Sequence, residues 1–205
     1  MPSVSPDQMA QALTTQSALV SFPTDTVPAL AARPENAGLI FEAKRRPPEK
    51  PLILMGARLA DLLPYIKGED AEIAVWQATT AKHWPGQLTL VLPASDRTPP
   101  TLNPTRTGTI GIRVPNHPIA LQLLSRTGPL ATTSANLSGQ PPLTTQSDIS
   151  RTFPAALTLA PKAYISEQNS GQPSTVARWI GQAFAKTGQA TSADWQILRQ
   201  GEIQL

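Results

Sequence analysis

Short apolar runs alternate along the chain with segments in which apolar residues recur at helical spacing. The runs end at prolines, glycines or polar turns, which is typical of short buried strands, whereas a three- to four-residue spacing indicates helices. The predicted strands cover 18–22, 51–55, 88–92, 109–114, 130–133, 175–179 and 195–198. The predicted helices cover 9–13, 35–44, 117–125, 147–153 and two segments within 59–84. Strands interleaved with helices in this way predict an α/β fold.

The first of these helices carries a recognisable start signal. Ser5 stands three residues before Gln8, and Pro6 occupies the first helical position. In a capping box the hydroxyl and the amide satisfy each other's backbone N–H groups, and proline is tolerated at this position. We therefore expect a helix to begin at Pro6.

Composition favours one folded domain over 1–205. The chain has 205 residues, of which 40% are hydrophobic and 15% charged, so it can bury a core of ordinary size. Its 22 prolines are scattered, which indicates many short elements joined by rigid turns. No linker-like stretch or internal repeat interrupts the pattern.

Several classes of function are excluded or disfavoured. The chain has no cysteine, which removes disulfides, thiolate nucleophiles and cysteine-ligated metals. It has neither a Walker-type phosphate loop nor a glycine-rich dinucleotide motif. His83 and His117 lack metal-spaced partners, so structural roles are expected for both. No run approaches a membrane span and no leader pattern is visible, which favours a soluble cytoplasmic protein.

The densest chemical signal is the sequence KRRP at 44–47, at the end of a predicted helix. One interpretation is a solvated, charged helix end, since cations are favourable there. The other is a polyphosphate clamp formed by Lys44 and Arg46, because cations beside a transferring phosphate stabilise its growing charge. A net charge of +3 is compatible with phosphate-bearing partners but decides little.

Two polar segments follow predicted strands. Residues 23–26 read PTDT, and residues 132–139 read TTSANLSG. The ends of strands in α/β folds commonly carry ligand-binding groups, and hydroxyls with an amide can hold phosphate or ribose oxygens. Each segment can equally be an ordinary capping or turn sequence.

Taken in order, these segments resemble the YrdC-like family. The resemblance rests on PTDTVPAL at 23–30, KRRP at 44–47 followed by PL, PGQLT at 85–89, RVPNHP at 113–118, SANLSG at 134–139, PSTV at 173–176 and ILRQG at 197–201. It spans about 18–203, nearly the whole chain. The resemblance implies a twisted mixed sheet with flanking helices around a deep basic cavity.

It also implies an activity, namely the synthesis of threonylcarbamoyl-adenylate and pyrophosphate from L-threonine, bicarbonate and ATP for tRNA modification, with Mg²⁺ on the phosphates. By the same resemblance, each site residue has an expected ligand. The ATP-binding residues would be Lys44, Arg46, Ser134, Asn136 and Arg199, of which Lys44 and Arg46 are the catalytic cations, and the threonine-binding residues would be Thr26, Arg113 and Ser174.

Two positions depart from the family pattern. Pro28 and Ala29 replace a tyrosine and a glycine, and Met55 stands where a histidine often ends the strand. Both changes remove hydrogen-bonding groups on the side expected to hold threonine. The alternative function is therefore a divergent, non-enzymatic paralogue that binds double-stranded RNA or tRNA through its basic cavity, and a structural subunit of a larger assembly is a third possibility.

Overall fold

The computed structural model describes residues 3–47, 49–164 and 170–205. Within these ranges the strands are β1 (Val20–Phe22), β2 (Ala29–Ala32), β3 (Ile53–Met55), β4 (Leu88–Pro93), β5 (Thr109–Arg113), β6 (Leu130–Ser134), β7 (Leu157–Thr158), β8 (Thr175–Trp179) and β9 (Trp195–Arg199). They form a single sheet with the order β7-β1-β2-β6-β3-β5-β4-β8-β9. Parallel and antiparallel pairs are mixed, so the predicted α/β fold with a mixed sheet is confirmed.

The helices are α1 (Pro6–Thr15), α2 (Gly38–Lys44), α3 (Leu59–Leu62), α4 (Asp70–His83), α5 (Pro118–Thr127), α6 (Gln146–Thr152) and α7 (Phe184–Thr187). The capping box of α1 is confirmed, since Gln8 N–H donates to Ser5 Oγ at 3.2 Å and Ser5 N–H donates to Gln8 Oε1 at 2.8 Å. The helix predicted over 35–44 begins only at Gly38, because Pro34–Asn36 forms a separate 3-10 turn.

Three elements were not predicted. β2 has the sequence ALAA, and alanine has a low strand propensity, yet β2 is fully buried between β1 and β6. β7 has two residues and α7 has four, which is too short for a hydrophobic period to appear. Tertiary pairing, rather than local sequence, defines these elements.

The core follows the sheet. Phe22 on β1, Leu30 on β2, Leu54 on β3 and Ile112 on β5 have no exposed surface. Cross-strand pairing places Leu30, Leu54 and Ile112 on the same face of the sheet, and a shift by one residue would move each side chain to the other face, so this pattern fixes the register. This register then determines which polar residues meet.

Candidate functional site

A cleft lies over one face of the sheet, with β3 at its floor. Residues at alternate positions along a strand share a face, and Pro51, Ile53 and Met55 all line this cleft. Neighbouring strands and the loops around them complete the lining, which comprises Thr26, Val27, Ala29, Arg46, Pro51, Ile53, Met55, Arg113, Thr132, Thr133, Ser134, Pro173, Ser174 and Arg199. Three arginines from distant parts of the chain therefore converge on one concave surface.

Arg113, the last residue of β5, is held by a set of buried hydrogen bonds. Its Nη2 donates to Asp25 Oδ1 at 2.7 Å, its Nη1 to Thr26 Oγ1 at 2.9 Å, and its Nε to the Gly86 carbonyl at 3.0 Å. Only 3% of the Arg113 side chain and 4% of the Asp25 side chain are exposed. A guanidinium carries five N–H donors, so this arrangement fixes Arg113 while leaving two donors free of these bonds.

The turn between β1 and β2 supplies two of the three acceptors for Arg113, Asp25 and Thr26. Thr24 Oγ1 donates to the Val27 carbonyl at 2.7 Å and lies 3.0 Å from Thr26 Oγ1. The Thr26 backbone N–H also donates to Thr24 Oγ1 at 3.2 Å. Side chains that bond to nearby backbone in this way stabilise a turn, so the PTDT segment holds Thr26 in place at the edge of the cleft.

Arg45 determines how Lys44 and Arg46 are presented. It ends α2 in the left-handed conformation, with φ 48° and ψ 45°, which is uncommon for a residue other than glycine. The Arg46 backbone N–H then donates to the Phe41 carbonyl at 2.9 Å, which closes the helix end. This sharp turn buries Lys44 and directs Arg46 into the cleft.

Arg46 is anchored to the start of β3. Its Nε donates to the Lys50 carbonyl at 2.8 Å and its Nη2 to the Pro51 carbonyl at 2.9 Å. These bonds use two of its five N–H donors. The others can bind an anion in the cleft.

Lys44 contacts the loop after β6 rather than lining the cleft. Its Nζ donates to the Ser134 carbonyl and, at 3.2 Å, to Asn136 Oδ1. The Ser134 hydroxyl also bonds to Asn136 Oδ1, while Asn136 Nδ2 donates to the Leu137 and Gln140 carbonyls at 2.8 and 2.7 Å. The predicted pairs Lys44/Arg46 and Ser134/Asn136 thus lie together, with Lys44 and Asn136 behind Ser134.

Ser174 and Arg199 form a third group, on the opposite side of the cleft. Arg199 Nε donates to the Ser174 carbonyl at 2.9 Å, and its Nη2 donates to Ser174 Oγ at 3.2 Å. Ser174 Oγ also lies 2.8 Å from Thr89 Oγ1 on β4. Gly201 allows the chain to pass here, because a Cβ at that position would lie 2.6 Å from the Pro173 carbonyl oxygen.

Burial changes the electrostatics of the cations. It lowers the pKa of Arg46, Arg199 and Arg113, and in Arg113 the charge of Asp25 opposes that effect while Arg199 adds to it. Each arginine stays charged, because a guanidinium is not deprotonated in proteins. Burial, followed by repulsion from Arg46, lowers the pKa of Lys44 to about 7. The site therefore concentrates positive charge among partly buried groups, where an anion would be stabilised more than in bulk water.

Sequence reasoning chose eight site residues, and six of them line the cleft: Thr26, Arg46, Arg113, Ser134, Ser174 and Arg199. It missed Asp25 as the partner of Arg113, because the two residues are 88 positions apart. It also missed the contribution of Thr89. The only signal in the sequence was that each residue lies inside a motif: Asp25 in PTDT at 23–26 and Thr89 in PGQLT at 85–89.

Pro28, Ala29 and Met55, which depart from the family pattern, do not all face the cleft. Ala29 and Met55 line the cleft, whereas Pro28 does not, and its carbonyl accepts a hydrogen bond from the Ala135 backbone N–H at 2.8 Å. Met55 is paired with Arg113 across β3 and β5. An apolar surface therefore lies next to the Arg113 guanidinium.

The described residues include no group of three or more histidine, cysteine or acidic side chains that could hold a metal ion. Within the same residues, no helix is long and apolar enough to cross a membrane.

Comparison with known proteins identifies relatives over most of the chain. The family model for Sua5, YciO and YrdC proteins, described as "Telomere recombination", matches residues 12–201. A threonylcarbamoyl-AMP synthase of Klebsiella pneumoniae is 34% identical over 159 residues, which is 75% of this chain and 82% of the relative. The threonylcarbamoyl-AMP synthase of Bacillus subtilis is 41% identical over 139 residues, which is 64% of this chain but 38% of that longer protein.

Solved structures give the same picture. The crystal structure of P. abyssi Sua5 complexed with L-threonine superposes with a TM-score of 0.73 at 30% identity, covering 86% of this chain and 52% of that one. The crystal structure of E. coli YciO superposes with a TM-score of 0.73 at 22% identity, covering 96% and 89%. The chain thus spans about half the length of the Sua5 structure and most of the length of YciO.

Proposed function

This chain belongs to the Sua5/YciO/YrdC family, and on that basis we propose that it is a threonylcarbamoyl-AMP synthase. It would form threonylcarbamoyl-AMP and pyrophosphate from L-threonine, bicarbonate and ATP, as a nucleotidyltransferase that supplies tRNA modification. The observation that carries the proposal is the convergence of Arg46, Arg113 and Arg199 on one cleft with the hydroxyls of Ser134 and Ser174.

The proposed chemistry has two steps. The threonine amine first adds carbon dioxide derived from bicarbonate, which gives a carbamate and releases a proton. A carbamate oxygen then attacks the α-phosphorus of ATP, the bond from that phosphorus to the bridging oxygen breaks, and pyrophosphate leaves. Such an in-line displacement depends on positioning and charge neutralisation rather than on a protein nucleophile. A cleft with three fixed guanidinium groups and no cysteine suits this requirement.

We assign the ATP phosphates to Arg46 and Arg199 in the cleft, with Lys44 adding positive charge from behind Ser134 and with Ser134 and Asn136 shaping the nucleotide side. As pyrophosphate leaves, negative charge grows on its oxygens, and preorganised cations stabilise that charge without having to move. Arg46 and Arg199 are both anchored through backbone carbonyls, which supports this role.

We assign the threonine side to Thr26, Arg113 and Ser174. The two N–H donors that Arg113 does not spend on Asp25, Thr26 and Gly86 match the two oxygens of an amino-acid carboxylate. The pairing with Asp25 holds the guanidinium still, which favours a bidentate bond.

Mg²⁺ is assigned to the ATP phosphates rather than to a protein cage. The described residues offer no cluster of three acidic side chains, and Mg²⁺ commonly keeps several waters while it binds substrate phosphates. The ion would therefore enter the cleft with ATP.

The test is pyrophosphate release by the purified protein with magnesium-ATP, measured with and without threonine and bicarbonate. We expect release to require both co-substrates and to fall by about 10²–10³ in the K44A and S134A variants, which alter the phosphate side. R58A is the matched control, because 78% of the Arg58 side chain is exposed and its partner is a surface carboxylate. ATP-dependent release without threonine would point to another acceptor and would contradict the proposal.

The alternative function, binding of double-stranded RNA or tRNA, is favoured by the same basic cleft and by an isoelectric point of about 9.5. Contacts to phosphates release counterions, so RNA affinity would fall steeply with salt. Tight, salt-dependent RNA binding by a protein that does not bind ATP would replace the synthase proposal with this alternative.

A further inference from the structure

Two ionisable side chains beside the cleft each bury a polar atom that lacks a partner. Among the described residues, Asp25 Oδ2 and His117 Nδ1 are both inaccessible to solvent and make no hydrogen bond. Asp25 is 3% exposed and His117 is 4% exposed. An unsatisfied buried polar atom is costly, more so when it is charged. A carboxylate oxygen can only accept, and an imidazole Nδ1 can donate, so the two atoms are complementary.

Both side chains lie near the end of β5. Arg113 ends β5 and binds Asp25, and His117 follows four residues later as the N-terminal cap residue of α5. Burial lowers the pKa of His117, and the charge of Asp25 acts on it in the opposite direction. Asp25 therefore lies within electrostatic reach of the His117 ring.

We infer that His117 is a positioning residue, which in its neutral Nδ1–H form donates to one buried water that in turn donates to Asp25 Oδ2. The carboxylate of Asp25 would then be fixed at both oxygens, by Arg113 at Oδ1 and, through that water, by His117 at Oδ2. A water is a suitable bridge here, because buried waters occupy sites that join otherwise unsatisfied polar groups.

The consequence for the cleft runs through Arg113. A carboxylate held at one oxygen can rotate about its final torsion, which is broad for aspartate. If Asp25 turns, Nη2 of Arg113 loses its partner and the two free donors of the guanidinium change direction. His117 would therefore control the binding of the amino-acid carboxylate without contacting it.

The hydrogen-bond claim is testable without any assay of activity. The chain contains two histidines, so the H83Q variant leaves a single imidazole, and ¹⁵N-labelled histidine then gives one pair of ring nitrogen signals. We expect a long-range ¹H–¹⁵N correlation spectrum, recorded with His117 neutral, to show a protonated Nδ1 and an unprotonated Nε2. The D25N substitution in the same background should move the Nδ1 signal. The opposite tautomer, or a Nδ1 signal that D25N leaves unchanged, would overturn the inference.

The positioning claim rests on the proposed function and is tested separately by kinetics. The amide nitrogen of asparagine can occupy the place of Nδ1, so H117N keeps the donor while H117L removes it. We expect H117L to raise the KM for threonine roughly tenfold or more, as for a lost bond to a charged group, with little change in the KM for ATP. H117N should recover most of the loss.

Equal increases in both KM values, or an H117N variant as impaired as H117L, would contradict the positioning role. Failure of the wild-type protein to use threonine would contradict the proposed synthase instead, and the NMR result would still stand or fall independently. The two ideas therefore fail in distinguishable ways.

Discussion

The cleft lies at one end of strands β8 and β9, and the other end of these two strands also buries polar groups but satisfies them differently. At that end Trp76, Trp179, Trp195 and Phe184 form a cluster, which we call the tryptophan cluster. The ring centroid of Trp179 lies 6.1 Å from that of Trp76, 5.0 Å from Trp195 and 5.8 Å from Phe184, all edge to face. Edge-to-face aromatic pairs stabilise a fold by more than the burial of their surface alone. In the cleft, by contrast, the large side chains are arginines whose donors are only partly used.

The difference is clearest in two buried ionisable groups. In Asp194, beside the tryptophan cluster, burial raises the pKa, but backbone N–H groups of Phe184, Thr191 and Ala183 lower it more, so the carboxylate is stabilised. In Lys44, behind the cleft, burial prevails and lowers the pKa to about 7. The Asp194 carboxylate is thus stabilised by backbone hydrogen bonds, whereas the hydrogen bonds of Lys44 do not offset the cost of burying its charge. Perturbed groups of the second kind are typical of binding sites.

The largest effect that separates the two regions is expected from the R113M variant. It leaves the Asp25 carboxylate buried without its cation, which should lower the free energy of unfolding by about 3–5 kcal/mol. Urea denaturation measures this loss. Threonine-dependent pyrophosphate release should also disappear, because the carboxylate-binding donors are gone.

The double variant D25L/R113M is the control for this prediction. Replacing both members of a buried ion pair by apolar residues is often neutral, so it should regain much of the stability but none of the activity. If the double variant is no more stable than R113M, the unpaired charge is not the cause of the loss.

A smaller effect is expected from W179F, in the tryptophan cluster. Trp179 Nε1 donates to Glu72 Oε1 at 2.8 Å, and the phenyl ring cannot replace that bond. We expect the free energy of unfolding to fall by about 2 kcal/mol, as for a bond to a charged group. The kcat/KM of the folded protein in the proposed reaction should stay unchanged, because the cluster does not line the cleft.

A double-mutant cycle with E72Q sharpens this test. Glutamine keeps the oxygen and the length of the side chain but removes its charge, so W179F should cost less in the E72Q background. A fall in kcat/KM with W179F would contradict the separation of the two regions.

Local sequence was enough to predict most strands and the first helix. The apolar run at 88–92 became β4, and the capping box at Ser5 became the start of α1. β2 escaped prediction because its four residues are mostly alanines, and it is a strand only because β1 and β6 flank it. Pairing between distant segments is not visible in a local pattern.

The candidate site was predictable in its members but not in its connections. Motifs singled out Arg113 and the turn that contains Asp25, yet nothing in their spacing indicates that the two side chains form an ion pair. Similarly, the charge pattern of KRRP could not show that Lys44 is buried while Arg46 lines the cleft. That division follows from the left-handed conformation of Arg45, which is a property of the folded helix end.

The smallest effect, at most about 1.4 kcal/mol per pH unit, is the pH dependence of ATP binding, and it arises from Lys44. With a pKa of about 7, Lys44 in the free protein loses its charge as the pH rises above neutrality. ATP phosphates favour the charged amine and raise its pKa in the complex, so affinity is fully present below about pH 7. Above that value it should weaken by up to about tenfold per pH unit, the limit for one proton taken up on binding. Titration calorimetry between pH 7 and 9 measures this slope.

The K44R variant is the matched control for that titration. Its guanidinium keeps its charge over this range, so the slope should be absent. A second readout follows from the same pKa without ATP: between about pH 7 and 10.5 the unfolded chain holds a proton on Lys44 that the folded protein has released, so stability should rise with pH in the wild type. If ATP affinity is independent of pH in the wild-type protein, Lys44 does not exchange a proton on binding. The charge of Lys44 would then be stabilised before any ligand binds, as that of Asp194 is beside the tryptophan cluster.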